Sequence, residues 1–236
     1  MHACPQIHRK YPSVCIVGYM SDDAQEVGIF ADVDNTLTVG YVQEYYAKRL
    51  GCSGDYRRLE ADLQRGAISE AQFGDALVQL FRRSGFTSEL AIKWAPEIEL
   101  HPSVAELLHL PVDIYLVSSG PNYYLSYLAS QFPSAHINYF CSQYEFDAFG
   151  LVESCHSVNR VSKAQYVDAF RIHHRSSVGI GDSLELDGPF MEKCDFAFLI
   201  LHPEMTGSPA SQFMLPGNFV KVESFGPVID FVSTLF

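Results

Sequence analysis

The chain has 236 residues, of which 47% are hydrophobic and 19% are charged, and its formal net charge is −12. This composition is typical of a folded protein and excludes an intrinsically disordered one. The length suits one domain, or one domain with an inserted cap. The negative charge argues against nucleic acid or an anionic membrane as a partner, because both are bound through clustered Lys and Arg. We therefore expect neither of them as a partner.

The sequence indicates neither a targeting segment nor a disulfide framework. Its apolar runs are strand-length, well short of the roughly 20 residues that span a bilayer, and its first residues do not follow the pattern of a secretory signal. We expect a cytoplasmic protein whose cysteines are reduced thiols, since none has the spacing of a zinc site. The oligomeric state stays open, and a homodimer is one option. The six cysteines are Cys4, Cys15, Cys52, Cys141, Cys155 and Cys194.

The N-terminal half of the chain changes its pattern twice. Residues 1–26 are interrupted by Pro12, Gly18 and an acidic segment, and we interpret them as an N-terminal extension. The apolar run 27–33 predicts a buried parallel strand that ends in aspartates. Between residues 41 and 110 apolar residues recur three and four apart, which predicts consecutive helices, with Ser69 and Ser103 as N-caps. Helices without an intervening strand indicate a helical cap, residues 41–103, inserted after the first strand.

Strands and helices then alternate as far as the C-terminus. The predicted elements are strand 112–117, helix 123–131, strand 137–140, a hairpin over 144–154 with Gly150 at its turn, helix 162–172, strand 177–181, a short helix, strand 195–201, and a last strand and helix after Asn218. Such alternation predicts an α/β fold, a Rossmann-like parallel sheet with helices on both faces, built from residues 27–40 and 104–236.

Acidic residues follow the first predicted strand. In open sheets of this kind ligands bind beyond the carboxyl ends of the strands, and Asp32 and Asp34 stand at that position. One carboxylate beside a cation can attack phosphorus, while the other carries a proton to the leaving oxygen. An isolated pair of turn aspartates on the surface would look the same, so the motif alone leaves both interpretations open.

Three further positions at strand ends or helix starts can serve a phosphate site. Ser118, Ser119 and Gly120 follow a strand and can offer a hydroxyl and backbone N–H groups to phosphate oxygens, although a plain helix cap has the same sequence. Lys163 begins a helix and by itself suggests a solvated surface charge. Asp182 ends another strand and, beside Asp32, can supply the one or two carboxylates that commonly hold Mg²⁺.

Taken together and in this order, these segments resemble the haloacid dehalogenase superfamily, whose motifs are D-x-D-x-T, a Ser or Thr after a strand, a Lys, and an acidic G-D loop. The resemblance covers about residues 27–205. It implies a Mg²⁺-dependent phosphatase in which Asp32 is the nucleophile and Asp34 the acid/base. It also implies that Asn35, Ser118, Ser119, Gly120 and Lys163 bind the phosphoryl group.

The same resemblance implies the ligands of the cation. Asp32, Asp182 and the backbone oxygen of Val33 would hold Mg²⁺, with the backbone oxygen of Asp34 as the alternative to that of Val33. Asp187 or Glu185 would orient the waters of the ion, and the assignment between these two residues is open.

The helical cap and the Ser118 turn resemble the phosphoserine phosphatase branch of the superfamily. That branch carries a glutamate nine residues after the nucleophile, where this chain has Tyr41, and this departure weakens the case for phosphoserine. We expect Tyr41, Glu44, Tyr45 and Tyr123 to line a substrate pocket, although a packed core of aromatic residues would explain the tyrosines equally well.

Three other functions compete with hydrolysis of a small phosphomonoester. A phosphotransferase or phosphomutase would share the whole site and differ only in the acceptor that the cap admits. A non-catalytic binding protein would have kept the fold. A dehalogenase is disfavoured, because it has no alkoxide to protonate and would leave Asp34 without a role.

Overall fold

The computed structural model describes residues 26–201 and 217–236. Within this part of the chain, seven strands form one sheet in the order β4-β3-β2-β1-β5-β6-β7. All neighbours are parallel except β3 and β4, which form the antiparallel hairpin that the sequence predicts. The strands are β1 Val27–Ala31, β2 Asp113–Pro121, β3 His136–Phe146, β4 Val152–His156, β5 Ser176–Gly181, β6 Phe196–Ile200 and β7 Phe219–Val222.

Helices fill both faces of the sheet, and the α/β Rossmann-like architecture is confirmed. Alternate residues of the central strands belong to two separate clusters, with Ile29 and Ile114 on one face and Phe30 and Tyr115 on the other, because successive side chains of a strand point to opposite faces. The described helices are α1 Val42–Arg49, α2 Ser53–Gln64, α3 Glu70–Arg83, α4 Ser88–Trp94, α5 Val104–Leu108, α6 Asn122–Ser130, α7 Arg160–Phe170, α8 Gly188–Met191 and α9 Gly226–Val232.

Helices α1–α4 lie between β1 and β2 and contain no strand among them. Two short segments of chain run side by side at the base of this insertion, where the N–H of Val39 donates to the carbonyl of Glu99 (2.8 Å) and that of His101 to the carbonyl of Leu37 (2.9 Å). The insertion also contacts the β3–β4 hairpin, since Arg82 of α3 pairs with Asp147 at 2.7 Å. The helical segment is therefore attached at its base and along one side.

The two predicted helix caps have different outcomes. Ser69 caps α3 as predicted, because its hydroxyl accepts from the N–H of Gln72 while the Gln72 side chain accepts from the N–H of Ser69. The prediction for Ser103 is wrong. This residue precedes α5 in the left-handed conformation (φ 65°), and its side chain makes no capping hydrogen bond, since an N-cap needs an extended backbone to direct its oxygen at the helix.

Some sequence predictions concern residues outside the described ranges, namely residues 1–25 of the N-terminal extension, with Cys4 and Cys15. The described cysteines, which are Cys52, Cys141, Cys155 and Cys194, form no disulfide bond among the described residues. In the same part of the chain, no helix combines the length and apolarity that crossing a membrane requires.

Candidate active site

The carboxyl ends of three adjacent strands bring the predicted residues together. Asp32 follows β1, Ser118 lies near the end of β2, and Asp182 follows β5. Strand β1 has β2 on one side and β5 on the other, so the chain changes direction across the sheet at this point. Such a switch point leaves an open crevice beyond the strand ends, the usual place of a ligand in open α/β sheets.

The turn after β1 is organised around one carbonyl. The oxygen of Val33 accepts from the backbone N–H groups of Thr36 (3.2 Å), Leu37 (2.9 Å) and Thr38 (3.0 Å), and the Thr38 hydroxyl donates to it at 3.1 Å. A carbonyl oxygen has two lone pairs, and these donors saturate it. The geometry therefore favours the alternative ligand, the backbone oxygen of Asp34, which accepts no hydrogen bond from the described residues.

Asp32 lies at the centre of a buried charge network. The ammonium of Lys163, itself buried, donates to Asp32 Oδ1 at 2.6 Å and to Asp187 Oδ1 at 3.0 Å. The hydroxyl of Thr36 lies 3.2 Å from Asp32 Oδ2 and 3.1 Å from Asp182 Oδ1. These contacts fix both oxygens of the proposed nucleophile and connect three segments of the chain that are distant in sequence.

Three buried carboxylates form a cluster that fits a divalent cation. Asp32, Asp182 and Asp187 each offer an oxygen within 4.8 Å of the others. Burial, followed by the charge of Asp187, raises the pKa of Asp32 and raises that of Asp182 to about 6. Burial alone would lower the pKa of Lys163, but the two carboxylates beside it outweigh burial and raise it. One ammonium thus faces three carboxylates, and a hard cation that prefers oxygen ligands would neutralise the excess negative charge.

The acidic loop after β5 distinguishes Asp187 from Glu185, the two candidates for the residue that would orient the waters of the cation. Asp187 is buried, bonded to Lys163, and accepts from the N–H of Ser183 at 3.2 Å. Glu185 is exposed at the mouth of the site. A Cβ at Gly181 would lie 2.6 Å from the Asp187 side chain, so only glycine lets this carboxylate pack against the end of β5. The geometry favours Asp187.

Asp34 is held by two donors on opposite oxygens. The N–H of Val42 donates to its Oδ1 at 2.7 Å, and the hydroxyl of Ser118 donates to its Oδ2 at 3.1 Å. Ser118 in turn accepts from the N–H of Gly120 at 2.8 Å, and a Cβ at Gly120 would collide with Asp34 Oδ2. Burial raises the pKa of Asp34, which suits a carboxyl that carries a proton at one stage of a reaction.

Two of the predicted phosphate-binding residues have other partners. The Ser118 hydroxyl is fully buried and committed to Asp34 rather than lining the crevice. The Asn35 amide donates to Asp182 Oδ2 at 2.7 Å. In the structure both side chains position carboxylates, and their binding of a phosphoryl group stays a prediction. Ser119, Gly120 and Lys163 line the crevice.

The crevice opens into a cavity of about 410 Å³ between the strand ends and helices α1–α3. Tyr41 lines this cavity as expected, but the three other predicted pocket residues do not. Glu44 turns outwards to pair with Arg57 at 3.1 Å. Tyr45 is hydrogen-bonded to Glu97, and Tyr123 packs into the aromatic core, which is the alternative explanation that the sequence left open.

Several residues of the site were not predicted from the sequence. Thr36 has a place in the D-x-D-x-T motif but was given no role, although it joins Asp32 to Asp182. On α2, Tyr56, Glu60 and Leu63 all line the cavity. Their spacing of four and three residues puts them on one face of the helix, and this is the signal that might have revealed them. The other missed residues of the cavity include Gln43, Glu70, Phe73 and Tyr144.

Solved structures share this fold, among them the following three. A HAD family hydrolase from Salmonella enterica subsp. enterica serovar Typhi has a TM-score of 0.66 at 14% identity, and the match covers 78% of this chain and 66% of that one. A probable phosphoserine phosphatase from Vibrio cholerae has a TM-score of 0.67 at 17% identity, and the match covers 90% of this chain and 66% of that one. A phosphoserine phosphatase described as a phospho-aspartyl intermediate analogue has a TM-score of 0.61 at 15% identity, and the match covers 75% of this chain and 87% of that one.

The chain thus spans 66% of the length of each of the first two structures. Its sequence matches no protein-family model, and the comparison with curated proteins finds no match. At these identities the likeness concerns the fold, and the chain has the fold of the haloacid dehalogenase superfamily in its phosphoserine phosphatase-like form.

Proposed function

We propose that this protein is a Mg²⁺-dependent phosphatase that hydrolyses a small phosphomonoester through an aspartyl phosphate on Asp32. The observation that carries the proposal is the contact between Lys163 and Asp32, 2.6 Å apart and buried at the edge of the Asp32–Asp182–Asp187 cluster. A buried carboxylate held between an ammonium and other carboxylates is costly to maintain, and such arrangements concentrate at functional sites. The phospho-aspartyl state described for the third of the similar structures agrees with this chemistry.

The binding step depends on charge. A phosphate dianion and the Asp32 carboxylate repel each other, and Lys163 borders the space where the two would meet. Asp32 and Asp182 would hold Mg²⁺, with the Asp34 carbonyl as a further ligand. The ion supplies Lewis-acid stabilisation of the phosphoryl oxygens. Lys163, Ser119 and the backbone at Gly120 would bind and orient the phosphoryl group.

The chemical steps divide between the two aspartates. Asp32 attacks phosphorus and forms an acyl phosphate, while the bond to the leaving oxygen breaks and Asp34 donates its proton to that oxygen. Asp34, now ionised, takes a proton from the water that attacks the acyl phosphate, which releases inorganic phosphate and regenerates Asp32. The hydrogen bonds from Val42 and Ser118 keep Asp34 in place for both transfers.

The proposal is tested by release of phosphate from p-nitrophenyl phosphate, with and without Mg²⁺. We expect Asp32→Asn to abolish turnover and the covalent acyl phosphate, detected as a phosphate-mass adduct, while circular dichroism stays unchanged. Asp230→Asn is the matched control, since Asp230 is exposed on α9. Turnover retained by Asp32→Asn, or no Mg²⁺-dependent turnover in the wild-type protein, would overturn the assignment.

A further inference from the structure

The cavity continues beyond the phosphoryl site to the face of the helical insertion. Its lining there includes Tyr41, Tyr56, Glu60, Leu63, Glu70 and Phe73, which we call the cap side of the cavity. In a phosphatase with the mechanism proposed above, the leaving alcohol occupies this side, because the phosphoryl group lies against Asp32 and Lys163. The chemistry of these residues then selects the alcohol.

The charged side chains around the cavity are mostly negative. Lys163 is the one cationic side chain among the described lining residues, and it is bonded to Asp32 and Asp187. Glu60, Glu70 and Glu185 add carboxylates around the remaining space. A second anionic group on the substrate would meet no free cation there, whereas a positively charged alcohol would meet complementary charge.

Glu60 is a carboxylate that can take such a role. It is half-buried, it lines the cavity, and it makes no hydrogen bond or ion pair with the described residues. The nearby Arg57 is engaged by Glu44 at 3.1 Å instead. Burial, followed by the charge of Glu44, raises the pKa of Glu60. An acceptor without a partner in a partly desolvated position is stabilised by any cation that enters the cavity.

Tyr56 supplies an independent indication of a ligand. The residue is 2% exposed and lines the cavity, yet its hydroxyl has no hydrogen-bond partner among the described residues. The oxygen is also not sealed inside the core, as those of Tyr123 and Tyr166 are. Burial raises the pKa of Tyr56, and Glu60 and Asp34 are the next largest causes. The negative charges of the cap-side carboxylate and of the proposed acid/base therefore both act on this hydroxyl.

We propose that the leaving alcohol carries an ammonium group and no second anionic group, and that Glu60 and Tyr56 bind this ammonium. The aromatic rings of Tyr41, Tyr56 and Phe73 line the same space, and rings can stabilise an organic cation through their faces. The substrate class is thus the phosphate monoester of a small amino alcohol. This inference rests on the proposed phosphatase function and adds its specificity.

Three matched esters test the inference through kcat/KM. O-phosphoethanolamine carries the ammonium, n-propyl phosphate replaces it with a methyl group, and O-phosphoserine adds a carboxylate. We expect the kcat/KM of O-phosphoethanolamine to exceed that of each other ester by about tenfold or more, because a charge-assisted hydrogen bond contributes that much. Equal values for the three esters, or preference for O-phosphoserine, would overturn the inference.

Variants separate the effect of Glu60 from that of total charge. Glu60→Gln should reduce the preference for O-phosphoethanolamine over n-propyl phosphate by about tenfold, chiefly through KM, and Tyr56→Phe should reduce it by a smaller factor. Glu89→Gln removes the same charge from an exposed position on α4 and should keep the preference. A preference that survives Glu60→Gln would contradict the assignment.

A binding measurement keeps this test distinct from the test of catalysis. Asp32→Asn protein with Mg²⁺ is titrated calorimetrically with O-phosphoethanolamine and with n-propyl phosphate. Tighter binding of the first ester, lost in the Asp32→Asn, Glu60→Gln double variant, supports the ammonium site even if turnover fails. Equal affinities, or no binding of either ester, reject the site, whereas absent turnover of every ester alone rejects the phosphatase proposal.

Discussion

The ammonium of Lys163 lies 2.6 Å from the carboxylate of Asp32, although 131 positions separate the two residues. Both side chains are almost completely buried. The same ammonium reaches Asp187 at 3.0 Å, so a single positive charge compensates two carboxylates directly and a third, Asp182, through space. Removing one partner of a buried ion pair leaves an uncompensated charge, which costs more than the pair itself contributes.

We therefore predict that Lys163→Met lowers both activity and stability. The free energy of unfolding should fall by about 3–5 kcal/mol in the absence of Mg²⁺, because the carboxylates lose their counter-charge. Hydrolysis of p-nitrophenyl phosphate should fall by about 10²–10³-fold. Urea denaturation measures the first effect. Lys193→Met, at an exposed position, should change stability by less than about 0.5 kcal/mol, and equal losses in the two variants would contradict the prediction.

Replacing Asp34 with Asn should affect the two half-reactions differently. The amide oxygen can still accept from Val42, so the fold should persist. Transfer from an alkyl ester needs a proton at the leaving oxygen and should slow by about 10²–10⁴-fold, whereas nitrophenolate leaves without one. With p-nitrophenyl phosphate we expect a burst of one nitrophenolate per active site, followed by slow turnover as the acyl phosphate accumulates. A linear progress curve at the wild-type rate would exclude Asp34 as the acid/base.

Gly120→Ala should damage catalysis with little effect on the fold. The new methyl group would collide with Asp34 Oδ2 and lie 3.0 Å from the Ser118 hydroxyl, so Asp34 must move. A displacement of about 1 Å at a reacting group can cost about a hundredfold in rate. Gly54→Ala is the control, since a Cβ there contacts nothing within 4 Å. The comparison of kcat for the two variants at unchanged melting temperature measures the effect of the collision.

The sequence predicted the site best where a residue type suited to catalysis or metal binding follows a strand. Asp32 and Asp182 follow apolar runs that form β1 and β5, and parallel strands necessarily present their carboxyl ends at one edge of the sheet. The geometry of the turn after β1 could not be predicted from the sequence. Whether the Val33 carbonyl faces a cation or its own turn depends on hydrogen bonds with Thr36, Leu37 and Thr38, and residue types do not specify these bonds.

The cap side was less predictable, because its residues are defined by helix orientation rather than by a motif. Tyr41 and Tyr45 both belong to an aromatic segment, yet Tyr41 lines the cavity while Tyr45 bonds to Glu97. Tyr56 and Glu60 lie one turn apart on α2 and would suit any amphipathic helix. Their function depends on α2 facing the strand ends, which is a tertiary relationship that local periodicity does not contain.

Mg²⁺ should stabilise the protein by binding the acidic cluster. A ligand that binds only the folded state at 100 times its dissociation constant adds about 2.7 kcal/mol to the free energy of unfolding. We expect the melting temperature to rise on addition of MgCl₂ and to return after EDTA. Asp182→Asn should abolish this rise, and Glu185→Gln, which alters an exposed residue of the same loop, should preserve it. If the rise were lost in Glu185→Gln and kept in Asp182→Asn, Glu185 rather than Asp182 would be the residue that binds the ion.

The preference for an amino alcohol should depend on pH through Glu60. The carboxyl has a pKa raised by burial and by Glu44, with Arg57 acting in the opposite direction. Glu70 on α3, Tyr41 before α1 and Tyr56 on α2 are the other titratable groups of the cap side. A raised pKa means that Glu60 is ionised, and able to bind an ammonium, only above that pKa.

As the pH falls through this pKa, Glu60 becomes neutral and the ratio of kcat/KM for O-phosphoethanolamine over n-propyl phosphate should decline towards one. The ratio cancels the ionisation of the phosphate and the need for Asp34, because both esters share them, and the Glu60→Gln variant then separates Glu60 from Glu70. Glu60→Gln should give a low ratio that does not change with pH. A pH-independent ratio in the wild-type protein would show that the preference does not depend on a carboxylate of the cap side, because the ammonium of the substrate stays protonated throughout the acidification.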